Sequence, residues 1–115
     1  MINEAEFRIV GRVGRVTQVG KATKVSICAN YSYRQDDGTY AEQPHWNTIT
    51  VFPQGMQDYI GKHVEVGDLV MTTGRLREAS YEKDGATVYT VDLIASRFGR
   101  LAGKQAAGSQ EDVAS

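Results

Sequence analysis

The sequence is poor in residues that fix a chain covalently or rigidly, with one cysteine, Cys28, and two prolines. A lone cysteine excludes an intrachain disulfide and a zinc site built from several cysteines, and it suits a reducing compartment. No apolar run has the length of a signal-peptide core or a membrane span. We therefore expect a cytoplasmic protein that makes no membrane contact.

Long stretches with the 3.6-residue period of a helix are also missing, whereas β-branched residues and 12 glycines are frequent. This composition predicts a mostly β chain with tight turns. A length of 115 residues fits one domain, which we expect over residues 1–103, followed by a short disordered tail over 104–115.

Positive and negative charges are nearly equal in number, which gives a net charge of −1. The charges are nevertheless unevenly distributed, because all 13 Lys and Arg residues lie between positions 8 and 104. Only ten of the 14 acidic residues lie in that span, which leaves it an excess of three positive charges. A modestly basic domain is compatible with phosphate contact and equally with an ordinary solvated surface.

Five segments alternate apolar and polar residues with the two-residue period of a strand, and turn residues separate them. The predicted strands cover 6–18, 21–33, 45–52, 68–81 and 87–96, with a short helix over 56–63. Residues 34–44 are predicted to form a long, mobile hairpin loop, and 83–85 a hairpin tip. Gly11 and Gly14 interrupt the first strand, as in strands that coil through both halves of a small barrel.

Five strands with a helix between the third and the fourth follow the order of the oligonucleotide-binding (OB) fold, an all-β, five-stranded Greek-key barrel. Tyr33, Trp46, Phe52 and Tyr81 fall on the strands and loops that form the ligand groove of this fold. In the third strand the aliphatic residues needed for a core have the opposite parity to Trp46 and Phe52. The four rings are therefore predicted to be free to stack on unpaired bases.

Over residues 5–101 the chain resembles the bacterial single-stranded DNA-binding protein family. The order and spacing of five segments carry the resemblance: RIVGRVGR, KVSICANYSYR, HWNTITVF, EVGDLVMTTGRLR and YEKDGATVYTVDLIA. The family's stacking positions correspond to Tyr33, Trp46, Phe52 and Tyr81, although the first is usually and the last often tryptophan. The resemblance implies sequence-tolerant, cooperative coating of single-stranded DNA in replication, recombination and repair, by a homo-oligomer that is typically a tetramer.

The sequence departs from the family at several points. Ala79 and Ser80 replace basic residues that often precede the last ring, and Pro53 and Gln54 replace glycine and lysine. The C-terminal segment GKQAAGSQEDVAS is far shorter than the family's linker and acidic tip, so we expect no recruitment of repair enzymes through the tail. A brief member of this kind suits a bacterial plasmid, phage or mobile element, and a family member from which a longer tail was removed would look the same.

Basic residues close to the rings are the candidates for phosphate contact. They are Lys21, Lys24, Arg34, Arg75 and Arg77.

No catalytic, metal or cofactor site is predicted. His45 and His63 are not spaced with Cys28 or with paired carboxylates as metal ligands would be, and the GRVGR segment lacks the lysine and helix of a phosphate-binding loop. Two other classes remain open. One is a protein-interaction module on the same barrel, such as a primosomal replication protein, and the other is a carbohydrate-binding module. Arginines beside the rings weigh against sugar.

Overall fold

The computed structural model describes residues 2–103, which form a closed barrel of five strands and one helix. The strands are β1 (Glu6–Val19), β2 (Ala22–Arg34), β3 (Tyr40–Val51), β4 (Leu69–Lys83) and β5 (Ala86–Ala102), and the helix is α1 (Gln54–His63). The order around the barrel is β1-β2-β3-β5-β4. Neighbouring strands are antiparallel except β3 and β5, which pair in parallel. The predicted OB fold is confirmed.

Alternating aliphatic residues on β2 and β3 fill the barrel. Val25 and Ile27 on β2, and Ile49 and Val51 on β3, are completely buried, and Ile60 of α1 packs against the same cluster. Because the side chains of a strand alternate between its two faces, burying these residues leaves the intervening ones on the outer surface. The core is therefore filled by aliphatic side chains and does not need the rings of Trp46 or Phe52.

Strand β1 pairs with two neighbouring strands, as predicted from the glycines that interrupt it. Its first half pairs with β4 and its second half with β2, and the β2 register shifts between Val13 and Arg15. The extra residue at this β-bulge is Gly14. Bulges increase local twist, and this one lets a single strand turn from one part of the barrel to the next.

The prediction of a long loop over residues 34–44 is wrong in its extent. Strand β3 already begins at Tyr40, so only residues 35–39 form the turn between β2 and β3. Pro44 lies within the strand opposite Asn30, although proline lacks an N–H. It is tolerated because β3 pairs with β5 only at Ile49 and Thr50, which leaves Pro44 on an edge. Strands β2 and β3 thus extend beyond the barrel as a two-stranded ribbon, named here the β2–β3 ribbon.

Hydrogen bonds to Asp37 order the tip of the β2–β3 ribbon. Its carboxylate accepts bonds from the Thr39 hydroxyl at 2.6 Å and the Thr39 backbone N–H at 3.0 Å. These bonds, with the hydroxyl contributing most, lower the pKa of Asp37 because they favour the charged carboxylate. Gly38 adopts a φ of 89°, a conformation that favours glycine.

Strands β4 and β5 form the longest hairpin. Asp84 and Gly85 at its tip both have positive φ, as expected for a two-residue turn that matches strand twist. Strand β5 continues to Ala102 rather than ending near residue 96, because it stays paired with β4 as far as Leu69, through two irregularities of register. The predicted tail over residues 104–115 lies outside the described residues.

Candidate nucleic-acid interface

The four aromatic residues predicted to stack are all about half exposed. The exposed fractions are 49% for Tyr33, 56% for Trp46, 52% for Phe52 and 51% for Tyr81. Each ring thus has some contact with protein and retains a solvent-accessible part. That combination suits a stacking platform, which has to be held in place and yet reached by a base.

Phe52 lies in an open cleft with two of the predicted basic residues, Lys24 and Arg77. Lys24 Nζ donates a hydrogen bond to Thr50 Oγ1 at 3.1 Å, and Arg77 Nε lies 3.6 Å from Asp92 Oδ2. Arg77 is well exposed and Asp92 is partly exposed, so this ion pair is weak and Arg77 can exchange Asp92 for another anion. The structure thus brings an accessible ring and two of the predicted cations together.

Trp46 lies in a second cleft, formed with Gly14, Arg15 and Ser26. A shallow depression on the same outer face is lined by Arg15, Ser26 and Lys24, among other residues. Because the depression shares Arg15 and Ser26 with the Trp46 cleft and Lys24 with the Phe52 cleft, the three form one continuous surface. We name it the groove: it contains a ring near each end and cations between them.

A buried glutamine fixes the end of the groove that contains Phe52. Gln57 of α1 donates from Nε2 to the carbonyl oxygens of Phe52 at 2.9 Å and Lys21 at 2.8 Å. Its Oε1 accepts from the Thr23 hydroxyl at 2.7 Å and from Gln18 Nε2 at 3.2 Å. The full hydrogen-bonding capacity of the amide is used. Gln57 therefore ties the β1–β2 turn to the backbone that carries the Phe52 ring.

Tyr81 lies on the β4–β5 hairpin, opposite Val88 and four residues beyond Arg77. Residues two apart on a strand share a face, so Tyr81 and Arg77 lie on the same side of the hairpin. Tyr89, opposite Ser80, faces the other side and is 66% exposed. Tyr81 extends the groove surface along β4, and Tyr89 is excluded from it.

Tyr33 does not share a face with Trp46, which corrects the expectation of four rings on one surface. Trp46 pairs with Cys28, and the β2–β3 ladder continues without a register shift to Tyr33, five positions beyond Cys28. An odd number of steps places Tyr33 on the opposite face of the β2–β3 ribbon. Tyr31 shares that face and stacks on His45, with ring centroids 4.7 Å apart.

The remaining predicted basic residues are more dispersed. Lys21 lies in the β1–β2 turn, next to Ala22 of the Phe52 cleft. Arg75 lines a different cleft, with Glu6 and Arg97, and is not brought to Phe52. Arg34 is exposed at the end of β2, far along the β2–β3 ribbon.

Two residues of the interface were missed by the sequence reasoning. Arg15 borders Trp46 and the connecting depression, because the bulge at Gly14 keeps it on the outer face. Its position directly after a glycine that breaks strand alternation was the available signal. Tyr40 pairs with Arg34 on the Trp46 face of the ribbon and is strongly exposed, but it was assigned to a loop.

Within residues 2–103 no cluster of three or more histidine, cysteine or acidic side chains could hold a metal ion. The single helix of this described part is too short and too polar to cross a membrane.

Comparisons with known proteins agree with this geometry. A curated relative, the mitochondrial single-stranded DNA-binding protein of Drosophila melanogaster, is 25% identical in an alignment over 73 residues that covers 59% of this chain. The match covers 50% of the relative, so the chain spans about half the length of that protein.

Several solved structures share the fold. A Plasmodium falciparum SSB in complex with single-stranded DNA superposes with a TM-score of 0.73 at 19% identity, covering 88% of this chain and 97% of the other. A mitochondrial single-stranded DNA-binding protein of S. cerevisiae gives 0.70 at 25% identity, covering 90% and 100%. The small single-stranded DNA-binding protein of Streptomyces coelicolor gives 0.60 at 19%, covering 86% and 95%.

The family model of the single-strand binding proteins matches residues 5–101, the whole barrel with both ends of the groove. The chain therefore belongs to the single-strand binding protein family.

Proposed function

We propose that this protein binds single-stranded DNA through the groove, by stacking bases on its rings and contacting phosphates with its cations, without reading sequence. The Phe52 cleft carries the proposal, because it combines a half-exposed ring with Lys24 and Arg77 in one open site. A ring beside cations matches a nucleotide, which has a flat base and a charged phosphate. Membership of the single-strand binding protein family supports the same ligand.

Unpaired bases suit this surface better than duplex DNA. In a duplex the π-faces of the bases are covered by their neighbours, so Trp46, Phe52 and Tyr81 have little to stack on. In a single strand each base can contribute about 1 to 3 kcal/mol by stacking on a protein aromatic. The rings therefore favour single strands, whereas the cations alone would attract either form.

The proposed role is to coat and protect single strands in replication, recombination and repair, without catalysis. We also propose a homotetramer and a bacterial cytoplasmic location. These proposals rest on the family resemblance, and one curated relative that the chain matches is mitochondrial.

Two tyrosines of one hairpin provide a matched test. Tyr81 and Tyr89 are similarly exposed but lie on opposite faces of the β4–β5 hairpin. We expect Tyr81→Ala to weaken binding of fluorescently labelled oligo-dT about tenfold, the loss expected for one stacked base, and Tyr89→Ala to leave it unchanged.

Equal affinities in both variants and the unaltered protein would contradict stacking at Tyr81. Absence of oligo-dT binding by the folded, unaltered protein would reject the proposed function. The protein-interaction module on the same barrel would then become the better hypothesis.

A further inference from the structure

We propose that Gly14 is a positioning residue for Trp46: the absence of a side chain in the β1 bulge lets the indole ring lie against the β1 backbone, in the orientation that accepts a base. This inference rests on the proposed function. Gly14 has no side chain of its own, and its role in binding is exerted through the Trp46 ring across the sheet.

The contact is made by the six-membered ring of the indole. A Cβ atom built on Gly14 would lie 2.6 Å from Cη2 of Trp46 and closer still to Cζ3. Carbon atoms that are not bonded attract each other best at about 3.5 to 4.0 Å, so the space that any other residue needs is already occupied by the ring. The Trp46 side chain has to move if position 14 carries even a methyl group.

The bulge explains why the ring reaches the backbone at this point. Trp46 does not belong to the strand that pairs with β1, since it lies on β3 and its ladder partner is Cys28 of β2. Its side chain thus extends over β2 to β1. The register shift between Val13 and Arg15 places the backbone of Gly14 beneath it, with Arg15 beside it in the same cleft.

The consequence for binding is a defined ring orientation. With one part of the indole supported by backbone, a base has to approach from the solvent side, next to the Arg15 cation. A displaced ring would remain exposed and able to move, but stacking would then cost the entropy of ordering it. Gly14→Ala should therefore weaken binding without removing any group that touches DNA.

The test is a double-mutant cycle on Gly14→Ala and Trp46→Ala, with Gly99→Ala as the matched control, since a Cβ on Gly99 meets nothing within 4 Å. Affinity for oligo-dT is measured by anisotropy of a labelled oligonucleotide, and folding by thermal denaturation. Iodide quenching and the emission maximum of the sole tryptophan report the ring position directly in Gly14→Ala and Gly99→Ala.

We expect Gly14→Ala to weaken oligo-dT binding about threefold to tenfold and to change iodide quenching of Trp46. We expect Gly99→Ala to change neither. In the Trp46→Ala background the same glycine substitution should have no effect on affinity, because no ring remains to be displaced.

Each other outcome has a defined meaning. If Trp46→Ala weakens binding but Gly14→Ala leaves affinity and quenching unchanged, the positioning role is wrong and the proposed function stands. If Trp46→Ala has no effect on affinity, the stacking role of Trp46 itself fails. If Gly14→Ala fails to fold and Gly14→Ala/Trp46→Ala folds, the clash with the ring is supported. Failure of both variants to fold would reject the positioning role, because the bulge would then need glycine for its own backbone and not for the ring.

Discussion

At the scale of single residues, the rings available for binding are those that the core does not use. Ile49 and Val51 on β3 are completely buried, whereas Trp46 on the same strand and Phe52 directly after it are half exposed. The alternation that identifies the first pair as core identifies the second pair as surface. This part of the site could be predicted from the sequence because it depends only on neighbours within one strand.

Lys24 is expected to contact phosphate, and Lys62, which is exposed on helix α1, provides the matched control. We expect Lys24→Met to lower affinity for poly-dT and to reduce the slope of log K against log salt by about one phosphate contact, roughly 0.7 for a single strand. Lys62→Met should leave the slope unchanged. The check is a set of titrations at several salt concentrations, and equal slopes for all three proteins would contradict phosphate contact by Lys24.

At the scale of the elements, the β1–β2 turn, the end of β3 and helix α1 are joined by the amide of Gln57. The side chain is buried and bonds to the backbone of Lys21 and Phe52 and to the Thr23 hydroxyl. Sequence periodicity identifies the helix but not this connection. Lys21 and Thr23 lie 36 and 34 positions from Gln57 in the sequence, so the β1–β2 turn has to be placed in space before the amide can bond to it.

Gln57→Met keeps the length of the side chain and removes its polar atoms. We expect it to lower the free energy of unfolding by about 1 to 3 kcal/mol, because buried groups lose their partners. Gln54→Met is the control, since Gln54 is exposed on the same helix and bonds only to Asp58 among the contacts found. Its effect should stay within about 0.5 kcal/mol.

Urea denaturation of both variants checks this prediction. An equal effect of the two substitutions would show that the Gln57 network contributes no more than a surface amide.

The β2–β3 ribbon shows where sequence reasoning reached its limit. The ring positions were identified, but whether Tyr33 and Trp46 share a face depends on which residues of the two strands lie opposite each other. That register is set by the turn, which covers only residues 35–39 rather than 34–44. A change of one residue in register moves every side chain to the other face, so an uncertain turn length leaves relative faces undetermined.

At the scale of the whole molecule, the arrangement of rings constrains the path of the ligand. Trp46 and Phe52 lie along one continuous groove on the barrel, while Tyr33 lies on the far face of the β2–β3 ribbon. A strand that stacks on both Trp46 and Tyr33 of one chain has to pass around the ribbon. Short and long oligonucleotides should therefore use different sets of rings.

A length series of oligo-dT checks this path. We expect Trp46→Ala to weaken binding at every length, and Tyr33→Ala to weaken binding only beyond a threshold length, because a short strand in the groove cannot also reach the far face. An equal loss in both variants for the shortest oligonucleotide that binds would contradict the separation of the two faces.

The central claim is that bases of a single strand stack on the groove, and the sole tryptophan of the chain lies in it. The most direct measurement is a titration of Trp46 fluorescence with poly-dT and with duplex DNA at low and high salt. The account predicts strong quenching by poly-dT, much weaker quenching by duplex DNA, and a loss of affinity as salt rises. Unchanged fluorescence with poly-dT, or equal quenching by both polymers, would contradict it.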